Sequence, residues 1–141
     1  MDTIISNSPE ETERAGALCA QSIKPGTVVG LFGELGAGKT CWVRGFARAL
    51  GVKSRVHSPT FALLNLYEGG SIPLCHIDLY RLEGEDEVIG AGLENYLLSP
   101  KGITVVEWIE RWEHFLPKPP VQYRKIHIDI LNFEQRRIFE E

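Results

Sequence analysis

TVVGLFGELGAGKTCWVRGFARAL (residues 27–50) is the segment on which the fold turns. Thr27 to Phe32 form an unbroken apolar run of strand length, which predicts a central strand buried on both faces. Gly33, Gly38, Lys39 and Thr40 then match the spacing G-x-x-x-x-G-K-[ST]. Glycines let a loop adopt backbone conformations closed to other residues, so that successive N–H groups form a nest for an anion. The helix that follows adds the partial positive charge of its N-terminus. Lys39 has the reach for terminal phosphates and Thr40 offers a hydroxyl to magnesium, while Glu34, Leu35, Gly36 and Ala37 shape the loop and offer backbone contacts. Residues 39–50 read as a helix ended by Gly51, with Trp42, Val43, Phe46, Ala47, Ala49 and Leu50 on more than one face, hence well buried.

Outward from this segment, DTIIS at residues 2–6 is a short strand candidate. Residues 8–23 read as a helix with Ser8 as cap, Pro9 in the first turn and Glu11 at the capping-box position. Ala15, Leu18, Cys19 and Ile23 share one face of it. Residues 61–80 predict an antiparallel hairpin around Gly69-Gly70. EDEVIGAGLENYLL (85–98) predicts one amphipathic helix with Val88, Ile89, Gly92, Leu93, Tyr96 and Leu97 facing inward. ITVVEW (103–108) is a second buried strand, IERWEHF a short helix at best, and KIHIDI a strand with one wet face. RRIFEE reads as a last strand. The expected class is an α/β, P-loop NTPase-like domain over residues 1–141, its mixed sheet flanked by helices on both faces and including a hairpin.

Composition narrows the function. A net charge of −4 argues against indiscriminate nucleic-acid binding, which needs a basic surface. Arg44, Arg48, Lys53, Arg55 and His57 lie close in sequence, and read as a solvated face. Three widely spaced cysteines form neither a disulfide framework nor a zinc motif, which fits a reducing compartment. With no signal-like or membrane-spanning run, a cytoplasmic protein is expected.

A phosphate loop needs a second metal ligand, and Asp or Glu at the carboxyl ends of apolar strands are the candidates. Glu107 after ITVV and Asp78 after LCHI both qualify, although each is also an ordinary strand-end acid. His57 and His76 read as structural histidines rather than metal ligands, and Trp42 and Trp108 as either core aromatics or site residues.

Four strings in order, GELGAGKT (33–40), HSPTF (57–61), HIDLYRL (76–82) and VVEW (105–108), closely resemble the TsaE family, with GLENYL (92–97) in keeping. These are small bacterial P-loop proteins that assist synthesis of threonylcarbamoyladenosine beside the anticodon of certain tRNAs. The resemblance implies ATP contacts from Glu34 to Thr40, magnesium on Thr40 and Glu107, and an Asp78 needed for activity near the metal. It implies that Thr60 lies in a loop like the first switch of GTPases. It also implies that Trp108 lies beside the nucleotide and that Pro9 or a neighbour approaches the adenine. Lys39, Thr60, Asp78 and Glu107 are thus the expected catalytic set. Glu34 replaces the commoner aspartate of the family's loop, and the C-terminal NFEQRRIFEE does not align.

The resemblance further implies a weak, magnesium-dependent ATPase that resets a complex of TsaD with TsaB, with tRNA met only through that complex. The alternative, a small-molecule P-loop kinase, lacks a clear arginine-bearing lid, and a GTPase lacks its N-K-x-D string.

Overall fold

The computed structural model describes residues 3–59, 63–98, 100–114 and 121–141, apart from the side chains of residues 85 and 89. Seven strands form one mixed sheet: β1 (Ile4–Ser6), β2 (Thr27–Phe32), β3 (Leu64–Tyr67), β4 (Leu74–Asp78), β5 (Ile103–Glu107), β6 (Gln122–Ile130) and β7 (Arg136–Glu140). Their order is β1-β7-β6-β2-β5-β4-β3. β2 lies between β5 and β6 and is parallel to both. β4 is parallel to β5 and the β3–β4 hairpin antiparallel, as are the pairs β6–β7 and β7–β1.

Helices α1 (Pro9–Ala20) and α2 (Lys39–Ala49) cover one face, burying Cys19, Trp42 and Phe46 against Val29, Leu31, Val105 and Ile128. α3 (Glu85–Gly90), α4 (Glu94–Leu98) and a 3-10 turn at Glu110–Trp112 cover the other, over Val28, Ile77 and Val106. The expected mixed sheet with helices on both faces is therefore present. Among the described residues no helix is long and apolar enough to cross a membrane.

Ser8 caps α1 by accepting from the Glu11 N–H at 3.2 Å. The Glu11 carboxylate reaches back to the N–H of Asn7 at 3.0 Å, one residue beyond the expected capping box. Three expectations need correction. Leu18 is 56% exposed, not inward-facing. It lies on the solvent side of α1, whose buried stripe runs through Thr12, Ala15, Gly16 and Cys19. Ala49 is exposed too, so α2 is less fully enclosed than expected. The single helix expected over 85–98 is two, because Gly92 adopts a left-handed φ of 75° that a continuous helix cannot contain.

α1 and α2 touch backbone to backbone. A Cβ on Gly45 would stand 1.8 Å from the Glu13 carbonyl oxygen, and one on Gly16 would stand 2.0 Å from that of Trp42. Glu13 then binds Arg44 at 3.3 Å and Arg48 at 3.1 Å, so these two members of the basic run brace the helix pair. Alanine at position 45 favours helix by about 1 kcal/mol, but overpacking here costs about 1–3 kcal/mol. Gly45→Ala is therefore expected to lower the urea midpoint; an equal or higher midpoint would refute the close-approach account.

Candidate functional site

β2 ends at Phe32 and the chain turns at once into the glycine loop, whose Gly36 and Gly38 have φ of 82° and 105°. These left-handed values, which a β-carbon opposes, explain the two glycines. Gly38 then caps α2 without a side chain, leaving the first N–H groups of α2 to an outside acceptor. Gly33 has a different reason, since a Cβ there would lie 2.6 Å from the carbonyl oxygen of Ile128 on β6.

Lys39, the first residue of α2, is only 5% exposed. Its ammonium donates to the carbonyl of Gly33 at 2.7 Å and sits 3.7 Å from the centroid of the Trp108 ring. Burial pulls its pKa below the usual lysine value, opposed by the charges of Glu107, Glu110 and Asp78. Burial also raises the pKa of the Glu110 carboxyl. Thr40 follows, half-buried, in the first turn of α2.

The two strand-end acids lie side by side. Register pairs Asp78 of β4 with Glu107 of β5, and Glu107 in turn with Leu31 at the end of β2. Both acids are buried and both act on Lys39. The Asp78 carboxylate accepts from the Tyr80 N–H at 2.8 Å, and the Glu107 carboxylate is 2.6 Å from the buried His76 Nε2. Trp108 has a φ of 61°, unusual for a residue with a β-carbon. This turn carries its ring over Lys39 and against Tyr80, 5.0 Å between centroids.

Lys39, Asp78, Glu107 and Trp108 thus come together beside Thr40. Glu34 and Leu35 are exposed on the outer side of the loop. Thr60 lies outside the described residues. Pro9 is placed on the far side of the loop. Its carbonyl accepts from the Cys41 thiol at 3.1 Å, and it lines a cleft of 770 Å³ with Thr12, Gly36, Ala37 and Gly38.

The C-terminal hairpin closes that cleft, a role its sequence did not disclose. Phe133, 94% exposed, and Arg136 both line the cleft. Arg136 Nε donates to the Ala37 carbonyl at 3.0 Å and Nη2 to that of Gly36 at 3.4 Å. Nη1 meanwhile holds the carbonyls of Asn132 and Gln135 at 2.8 and 3.0 Å. One guanidinium therefore ties the β6–β7 turn to the loop. The only local hint was an arginine following a turn-rich NFEQ.

Residues 6–138 match the family described as "Threonylcarbamoyl adenosine biosynthesis protein TsaE". A Bacillus subtilis protein named tRNA threonylcarbamoyladenosine biosynthesis protein TsaE is 44% identical over 115 residues, which span 82% of this chain and 71% of that protein. Proteins of the same name from Synechocystis and Nostoc are 45% and 40% identical. The matches cover 79% and 87% of this chain, and 69% and 75% of theirs. A crystal structure of Bacillus subtilis YdiB superimposes with a TM-score of 0.75 at 34% identity, covering 97% of this chain and 82% of that one. With the family match running from the end of β1 into β7, glycine loop and both strand-end acids included, this chain belongs to the TsaE family.

Proposed function

We propose that this chain binds ATP with magnesium at the glycine loop, hydrolyses it weakly, and thereby acts on the TsaB–TsaD transfer complex in threonylcarbamoyladenosine modification of tRNA. The observation that carries the reading is the placing of Lys39 at the head of α2, in the field of the paired acids Asp78 and Glu107 and after a loop turned by the left-handed Gly36 and Gly38. Lys39, which here donates to the Gly33 carbonyl, would bind phosphate oxygens, and the nearby acids would balance its charge. The Thr40 hydroxyl and the Glu107 carboxylate are oxygen donors of the kind that magnesium takes alongside substrate phosphates. They would hold the ion, which when bound neutralises charge developing on the phosphates.

The cleft beyond the loop suits the base. Phe133 offers an open ring for adenine, and base–aromatic stacking contributes about 1–3 kcal/mol. Pro9 lines the same cleft, in keeping with a contact near the adenine. The relatives' names supply the pathway, and the TsaB–TsaD partnership follows from the family resemblance. Among the described residues near the loop and Trp108, Arg136 is committed to loop carbonyls, Arg137 to Asp129 at 2.8 Å and Arg111 to the carbonyl of Leu82 at 2.6 Å. A slow ATPase is expected where such arginines are engaged elsewhere, and a partner that supplies or orders a cation at the γ-phosphate can add roughly 10³–10⁵ in rate.

Lys39→Ala removes charge-assisted hydrogen bonds and is expected to weaken ATP binding about tenfold to a hundredfold by calorimetry. Unchanged affinity in a folded variant would discard the loop as the ATP site. Glu107→Ala is expected to weaken ATP binding strongly in magnesium and little in its absence, whereas Asp78→Ala spares binding and slows hydrolysis. Identical behaviour of the two variants would remove the distinction between ligand and catalytic acid. Titrating ATP with and without TsaB and TsaD tests the regulatory part. The factor by which ATP strengthens docking must equal the factor by which the partners strengthen ATP binding. If bound partners change neither ATP affinity nor phosphate release, ATP does not control the complex.

A further inference from the structure

We infer that His76 is a positioning residue for the metal site, holding one oxygen of Glu107 so that the other faces the phosphate loop. The inference rests on the reading of Glu107 as a magnesium ligand. His76 stands two residues before Asp78 on β4, so the pleat sends both side chains to the α2 side of the sheet. Register pairs His76 with Val105 and Asp78 with Glu107, which leaves Glu107 diagonal to His76 and within reach. Nε2 lies 2.6 Å from Glu107 Oε2, with the histidine fully buried and the glutamate nearly so.

An ionised carboxylate only accepts, so the proton of this bond resides on Nε2. Among the described residues Nδ1 then has no hydrogen-bond partner. A leucine would fill the same space and leave no orphaned atom, so the one polar contact that the ring makes is its physical reason to be a histidine. The two acids are held by different donors. Asp78 accepts from the Tyr80 N–H of its own turn, and Glu107 is met by a side chain from the neighbouring strand. Hydrogen bonds of this kind orient metal-ligating carboxylates and govern their affinity.

The test uses the full chain, ATP and Mn²⁺, reading the Mn²⁺ concentration that half-maximally strengthens ATP binding. His76→Leu is expected to raise that concentration about tenfold to a hundredfold. His76→Gln, whose amide reaches the Nε2 position, restores it, and ATP affinity without metal is equal in all three proteins. A folded His76→Leu protein with wild-type Mn²⁺ dependence would overturn the assignment, as would a folded His76→Gln protein no better than His76→Leu. Wild-type ATP binding indifferent to Mn²⁺ would instead remove Glu107 as a ligand, and His76's role with it. ¹⁵N NMR of the unsubstituted protein needs no variant to fold. It should show the Nε2–H tautomer, and a ring shift when Mg²⁺ is added to the ATP-saturated protein. The Nδ1–H tautomer, or no response to Mg²⁺, would refute the positioning role.

Discussion

Burying an ammonium ion is costly unless the fold surrounds it with compensating groups, and Lys39 is so surrounded. A carbonyl of its own loop accepts a hydrogen bond from it, an aromatic face lies over the charge, and three acids supply the opposing field. Each group comes from a different element. Gly33 follows β2, Asp78 closes β4, Glu107 closes β5, and Trp108 begins the chain's departure from the sheet. The parallel order β2-β5-β4 brings these strand ends to one edge, so the topology is itself part of the charge compensation. Trp108 reaches its position only through a left-handed backbone, a conformation that costs about 1–3 kcal/mol elsewhere. That strain is offset by the contacts its ring makes with Lys39 and Tyr80.

The helix pair serves the same end. α2 carries Lys39 and Thr40, and its direction is fixed by α1 through the glycine contact at residues 16 and 45. Glu13 with Arg44 and Arg48 adds an ion-pair clasp, but exposed pairs of this kind contribute little. Shape therefore sets the helix angle, and charge trims it. On the opposite face α3, α4 and the 3-10 turn seal the sheet around Val88, Leu93, Leu97 and Trp112.

What the sequence revealed and what it concealed divide along physical lines. The glycine loop was legible because its chemistry forces particular residues to fixed spacings. Asp78 and Glu107 were legible as acids ending apolar runs, although their adjacency was not. The His76–Glu107 bond depends on the register between two parallel strands separated by two helices, and no local pattern encodes a register. Gly16 and Gly45 each look like a weak point in a helix, and only the packed pair explains them. Arg136 was hidden for a related reason: a strand arginine gives no sign of the loop whose carbonyls it reaches. The break between α3 and α4 was, by contrast, written in the GAG string at residues 90–92 and lost to the strength of the apolar stripe.

The brace from Arg136 carries a consequence for folding order. Its strand, β7, is paired on one side with β6 and on the other with β1, whose Ile4 lies opposite Ile138. Contacts between residues so far apart in sequence demand the largest loss of chain freedom and are slow to form. During synthesis the glycine loop emerges well before the strand that holds it. Gln135 bonds Asn7 at 2.7 Å across the same junction, so the two ends of the described chain meet beside the cleft. The last shaping of the loop thus awaits the pairing of β1 with β7, two strands far apart in sequence.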